Sequence, residues 1–230
     1  MTNIHLVGGE KGGVGKSLVS RILAQYLIDR EIPFAGFDTD RSHGALMRFY
    51  PDHAAPALVN HYEALDRIVE TAVENPGKRI LVDLAAQTFD PLVKWMDDSG
   101  VVNLADEMDI HVHYWHVMDC GRDSVDLLKR LLDRFGTGLR YVLVRNQLRG
   151  NDFGLLEQSG EQTRAQELGA KVITIKKLYE GVIMKIDNGS HSFAQAKSSE
   201  EDSMGFGLMD RQRVKMWLRD AYREFDDVGV

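Results

Sequence analysis

The residues best suited to carry chemistry lie near the start of the chain, in Lys11-Gly12-Gly13-Val14-Gly15-Lys16-Ser17. Three glycines let the backbone take φ values closed to other residues and bring its N–H groups close to an anion. A helix beginning there aims its positive dipole end at the same point. The segment reads as a nest for phosphate. In that reading Lys16 neutralises the β- and γ-phosphates of a nucleotide, and the Ser17 hydroxyl is the expected protein ligand of Mg²⁺. The usual form of such a loop has glycine where this chain has Glu10, and a second lysine, Lys11, follows. Two further apolar runs end in acids: Ile32 to Phe37 closes on Asp38-Thr39-Asp40, and Arg79 to Val82 closes on Asp83.

These groups need a scaffold, and the hydrophobic pattern supplies one. Thr2 to Val7 reads as a strand feeding the loop. Leu18, Ile22, Leu23, Tyr26 and Leu27 then recur at helical spacing to about Arg30, and Pro33 ends the helix. Tyr62 to Val73, Ser124 to Phe135 and Gln158 to Leu168 are helical by period, whereas Ile110 to Val117, Leu139 to Val144 and Lys171 to Ile175 read as strands. The alternation predicts an α/β fold: a mostly parallel central sheet flanked by helices on both faces, a three-layer sandwich. Apolar runs without polar alternation fit strands buried on both sides. In such sheets ligands bind beyond the carboxyl ends of the strands, where the glycine loop, Asp38, Asp40, Asp83 and Asn146 all fall. Asp187 to Gly207, rich in Ser, Gly, Asp and Glu, is expected to be a mobile loop, with Glu200-Glu201-Asp202 as a solvated run. A final amphipathic helix is expected near 208–225, its apolar face being Val214, Trp217, Leu218, Ala221, Tyr222 and Phe225.

Composition narrows the classes. The 230 residues are 43% hydrophobic and 27% charged, the profile of a packed globular chain, and at roughly 150 residues per domain we expect one domain, 1–230. Acids outnumber Lys plus Arg by 35 to 28, so a large basic nucleic-acid surface is not expected; any such contact would be local or assembled by oligomerisation. The lone Cys120 forms no intrachain disulfide, and no apolar run approaches the roughly 20 residues of a membrane span, so a cytoplasmic protein is expected.

The loop with its early lysine resembles the deviant Walker loop of the ParA/MinD family of dimerising ATPases. The second motif at Asp38-Thr39-Asp40 and the Walker B-like Ile80-Leu81-Val82-Asp83-Leu84-Ala85 extend the resemblance over about Ile4 to Asn146. The stretches GGEKGGVGKS, FDTDRSHGAL, VDLAAQ and YVLVRNQLRG are similar to the TraL/MobD-like branch encoded with plasmid conjugation and mobilisation systems. The resemblance implies an ATP/ADP- and Mg²⁺-dependent switch that forms a homodimer with ATP. It further implies a protein partner in a conjugation or partition system, and leaves DNA contact to the dimer. It also implies roles: Lys11 reaching the partner subunit's nucleotide, Asp40 acting on the attacking water, Asp38 supporting the Mg²⁺ shell, Asp83 holding Mg²⁺ through water, and Asn146 reading adenine. Gly12, Gly13, Val14, Gly15, Lys16, Ser17 and Leu18 would line the phosphates. Leu18 replaces a frequent hydroxyl residue and offers only its backbone N–H. Asp40-Arg41-Ser42 and Ala85-Ala86-Gln87 also depart from the frequent pattern, so slow or partner-stimulated hydrolysis is expected.

Two other functions compete. One is an ATP-dependent carboxylate-activating synthetase of the dethiobiotin-synthetase or CobQ kind, and the other is a nucleotide-binding scaffold with little hydrolysis. Blander readings also stand beside the sharp ones. Asp38, Asp40 and Asp83 could serve turns, and Asn146 suits a turn about as well as a base contact. His111, His113, His116 and Cys120 are read as strand and core residues rather than metal ligands. The basic side of the last helix, Arg211, Arg213, Lys215, Arg219 and Arg223, is read as the solvated face of a core-packed helix, with membrane or partner docking as the alternatives.

Overall fold

In the computed structural model, which describes residues 2–40, 44–198 and 205–230, seven strands form one sheet in the order β3-β2-β4-β1-β5-β6-β7. They are β1 (Thr2–Gly8), β2 (Phe34–Asp38), β3 (Ala54–Pro56), β4 (Arg79–Asp83), β5 (Ile110–Met118), β6 (Arg140–Asn146) and β7 (Lys171–Ile175). All their pairings are parallel. The chain lays β2 and β3 on one side of β1, inserts β4 between β2 and β1, and then adds β5, β6 and β7 on the other side, so the loop after β1 lies where the strand order reverses. Open parallel sheets bind their ligands at that point.

Alternate residues of each strand feed two cores. Ile4, Leu6, Ile80, Val82 and Tyr114 face one side, where Leu65 and Ile68 of α3 (Tyr62–Glu74), Leu92 and Trp95 of α4 (Phe89–Asp98) and Leu128 of α6 (Arg122–Phe135) cover them. α5 (Val101–Glu107) completes that layer through Val101 and Ala105. Val7, Leu81, Trp115, Val142 and Val144 face the other side, under Ile22, Leu23 and Leu27 of α1 (Lys16–Asp29) and Leu46 and Phe49 of α2 (Ala45–Phe49). Each such aliphatic side chain contributes about 1.5–3 kcal/mol by leaving water. Val14, inside the glycine loop, is itself buried in this second core and fixes the loop on the sheet.

Several elements differ from the sequence reading, each for a local reason. β2 begins at Phe34, after a turn in which Glu31 takes φ 55°, and it runs through Asp38. The expected helix at 158–168 is two helices, α7 (Gly154–Ser159) and α8 (Glu161–Glu167), separated by Gly160 at φ 78°. β3 and α2 gave no periodic signal, because three and five residues are too few to show one. The stretch expected as loop from Asp187 holds the end of α9 (Glu180–Asn188) and α10 (Phe193–Lys197). α10 opens on a capping box between Ser192 and Gln195, and it buries Phe193 and Ala196 completely. α11 (Leu208–Val228) buries Val214, Trp217, Leu218, Ala221 and Phe225. Arg41, Ser42, Glu200, Glu201, Asp202 and Met204 lie outside the described residues.

Candidate phosphate-binding site

The loop between β1 and α1 is shaped by its glycines, Gly13 and Gly15 among them. Gly13 and Gly15 have φ values of 74° and 94°, in the left-handed region that side chains rarely adopt. A Cβ on Gly15 would also stand 2.2 Å from Asn146 Nδ2, and one on Gly13 would stand 2.3 Å from an Arg149 guanidinium nitrogen. The Lys16 ammonium curls back and donates to the Lys11 carbonyl at 3.1 Å, within the loop's own arc. Its pKa is lowered by burial, which Asp83, Glu10 and Asp40 partly offset.

Beneath the loop two carboxylates stand in register. Asp38 and Asp83 are Cα partners at the tips of β2 and β4, and both are almost fully buried. Burial and the facing Asp38 push Asp83 up to about 7, against hydrogen bonds from Ser17 and Ser20, the Ser20 hydroxyl donating at 3.0 Å. Asp38 is likewise raised by burial, although it accepts the Asp40 and Met47 N–H groups at 3.0 and 3.2 Å. Thr39 ties the two strand tips together. Its N–H and hydroxyl donate to the Asp83 carbonyl at 3.0 and 3.1 Å, and the hydroxyl accepts the Ala85 N–H at 2.8 Å. The fold thus gathers Lys16, Ser17, Asp38 and Asp83. Asp40, half-buried, follows Asp38 at the same rim.

Asn146 stands at the end of β6, fully buried, and its amide donates to the Val14 carbonyl at 2.8 Å while its carbonyl accepts the Leu148 N–H at 3.3 Å. It braces the loop from behind. Leu18 is half-buried and packs its side chain on the second core.

Four residues of the site escaped the sequence reading. Glu10, noted only as a departure from the usual glycine, accepts the Gln87 N–H on its carbonyl at 3.4 Å and the Phe89 N–H on its carboxylate. It therefore clamps the loop to the start of α4, where a helix N-terminus favours negative charge. Asp119 and Asp123 hold Lys11, with ammonium–carboxylate distances of 3.1 and 3.5 Å. Arg149 hangs over Gly13 and lies 3.9 Å from Asp119. Its only trace in the sequence was its place in YVLVRNQLRG.

Of the β5 histidines, His113 lies away from the loop, whereas His116 is in register with Gly8 at its start. His113 stacks on His5 at 5.0 Å and meets Asn3 at 3.1 Å, while His116 bonds the Ser124 carbonyl at 3.0 Å on the opposite face.

Residues 6–190 match the CobQ/CobB/MinD/ParA nucleotide binding domain, and the chain belongs to that family. Among curated relatives it is 29% identical to protein MobD of Acidithiobacillus ferrooxidans, over 98% of this chain and 97% of that one. It is 25% identical to protein TraL of Escherichia coli over the full length of both. A protein from Borrelia burgdorferi B31 described as a plasmid partition protein, solved bound to AMPPNP, superposes with a TM-score of 0.49 at 14% identity, covering 96% of this chain and 100% of that one.

Proposed function

We propose that this nucleotide-binding domain is a Mg²⁺-dependent ATPase switch that binds ATP or ADP, pairs into a homodimer when ATP is bound, and recruits a protein partner in plasmid conjugation, mobilisation or partition in the cytoplasm. The observation that carries the reading is the joint presence of a lysine-flanked glycine loop and the buried Asp38–Asp83 pair below its Ser17. Two desolvated carboxylates facing each other, with a hydroxyl alongside, are a donor set that suits a hard divalent cation. Ser17, Asp38 and Asp83 would hold that ion, and it would bridge phosphate oxygens and neutralise their charge. The backbone N–H groups of Gly12 to Leu18 and the Lys16 ammonium would hold the phosphates, and Asp40 would orient water. Asn146 is the candidate beside the base. Lys11 would supply a cation to the partner subunit's nucleotide, so turnover would rise with dimerisation. Any DNA contact would belong to the dimer.

Sedimentation with ADP, ATP and a non-hydrolysable analogue tests the switch, with a dimer expected for ATP and the analogue only. A monomer in all three states, with nucleotide bound, would overturn it. A nucleotide-binding scaffold that barely hydrolyses is the second reading, favoured by the engagement of Lys11 with Asp119 of its own chain. Single-turnover hydrolysis with and without DNA separates the two.

A further inference from the structure

We propose that the groove between α11, the C-terminal end of α1 and α10 is a docking site for an extended acidic peptide segment of a partner protein. The groove has a volume of about 510 Å³, within the roughly 300–1,000 Å³ of ligand clefts. Five cations line it: Arg30, Lys197, Lys215, Arg219 and Arg223. Two carboxylates share the lining, and each is already engaged. One Arg30 guanidinium nitrogen donates to both Asp226 oxygens at 2.7 and 3.0 Å, and Asp29 is held by Lys197 and by the Tyr222 hydroxyl, the latter at 2.7 Å. Lys215, Arg219 and Arg223 remain, giving the groove a net charge of +3 on a chain of net charge -7. Asp220 approaches Arg219 and Arg223 only at 3.5 and 3.9 Å, and it also binds Lys176 at 3.1 Å. Among the described residues Lys215 has no ion-pair partner.

The spacing of the three cations selects the shape of the partner. Residues four apart on a helix rise about 6 Å, and alternate residues of an extended peptide are about 6.6 Å apart, so acids at every second position meet successive cations. Arginine clusters are a recurrent means of reading acidic motifs. The lining sets Asp29 and Asp226 beside the cations; a peptide can space its acids to avoid them, whereas a nucleic-acid strand carries a charge on every nucleotide. Those features favour a peptide over a nucleic-acid strand. The site is separate from the nucleotide reading, because α1 spans 14 residues and sets Asp29 about 20 Å from Lys16.

The test uses the full chain and a fluorescein-labelled octapeptide of alternating glutamate and serine, read by anisotropy beside a glutamine–serine peptide, an eight-nucleotide oligothymidine and phosphatidylglycerol vesicles. The acidic peptide is expected to bind at least tenfold more tightly than the other three. The Lys215→Glu/Arg219→Glu/Arg223→Glu variant is expected to lose it at least tenfold while keeping its circular dichroism, and to gain a lysine–serine peptide instead. Arg219→Gln/Arg223→Gln should give an intermediate loss, and Arg67→Glu/Lys129→Glu on the far layer none. Equal binding by the reversal variant, or tighter binding of oligonucleotide or vesicles than of the peptide, overturns the proposal.

Discussion

Lys11 is bound to Asp119 of its own chain. The ammonium lies 3.1 Å from the carboxylate, and Asp119 is fixed in turn by the Ser124 hydroxyl at 2.8 Å and the Gly121 N–H at 3.0 Å. The hydrogen bond that Lys11 donates to Asp119 raises the Lys11 pKa, so the lysine stays charged throughout the neutral range. A lysine that serves a neighbouring subunit must first leave this seat. A solvent-screened pair of this kind contributes little to stability, which makes the seat easy to vacate.

Asp119→Asn should therefore loosen Lys11 and strengthen ATP-dependent dimerisation by a few-fold at most. Lys11→Ala should bind nucleotide normally but lose the ATP-dependent dimer and its turnover. Lys16→Ala should lose nucleotide binding itself. Light scattering and nucleotide titration on the three variants check this, and full turnover in Lys11→Ala contradicts the trans role.

Asp83→Asn removes one of two facing buried charges while keeping an acceptor for Ser20. The ligand-free protein should melt a few degrees higher, since an uncompensated buried charge costs stability. The Mg²⁺-dependent gain in nucleotide affinity should fall at least tenfold. Thermal melts and titrations with and without Mg²⁺ measure the two effects, and an unchanged Mg²⁺ response removes Asp83 from the ion site.

The two strained glycines should respond differently. At Gly15 a methyl group meets the buried Asn146 amide, which is committed to Val14, whereas at Gly13 it meets only the end of the exposed Arg149 side chain. Both substitutions place a side chain at positive φ, costing about 1 kcal/mol, and Gly15→Ala should cost about 1–2 kcal/mol more. Urea unfolding of the two variants decides it. Equal losses would falsify the bracing role of Asn146.

Acid should weaken the fold through buried histidines on β1 and β5. Burial, aided by Arg140, lowers His113 to about 4, and burial also lowers His116 to about 4 and holds His5 well below its ordinary value. Between pH 6.5 and 4 the unfolded chain takes up protons that the native chain refuses, so stability is full above 6.5 and falls as pH drops through that window. Each histidine contributes a slope of about 1.4 kcal/mol per pH unit. His113→Leu should reduce the measured slope by about that amount, and an unaltered slope in urea midpoints at pH 7, 6 and 5 rejects the assignment.

The sequence disclosed what depends on backbone chemistry and periodicity. The glycine loop, the acid at the end of β4 and strands such as Arg79–Asp83 and Lys171–Ile175 announce themselves through residue type and run length. It concealed what depends on tertiary approach. Asp119 lies 108 positions from Lys11, and no local pattern marks their meeting. α10 looked like loop because its two buried residues, Phe193 and Ala196, find their partners on distant helices, and the capping box that starts it shows only in the folded chain. Gly160 sat inside a helical period whose break is visible only in the backbone.

Glu10 gives the rim a mechanical character. A glycine there would keep the carbonyl bond to Gln87 but could not reach α4, whereas the glutamate stitches the lip of the nest to the first residue of α4 on the outer layer. The lip and the outer layer are thereby held by one shared side chain, and removing the Glu10 carboxylate would free both at once.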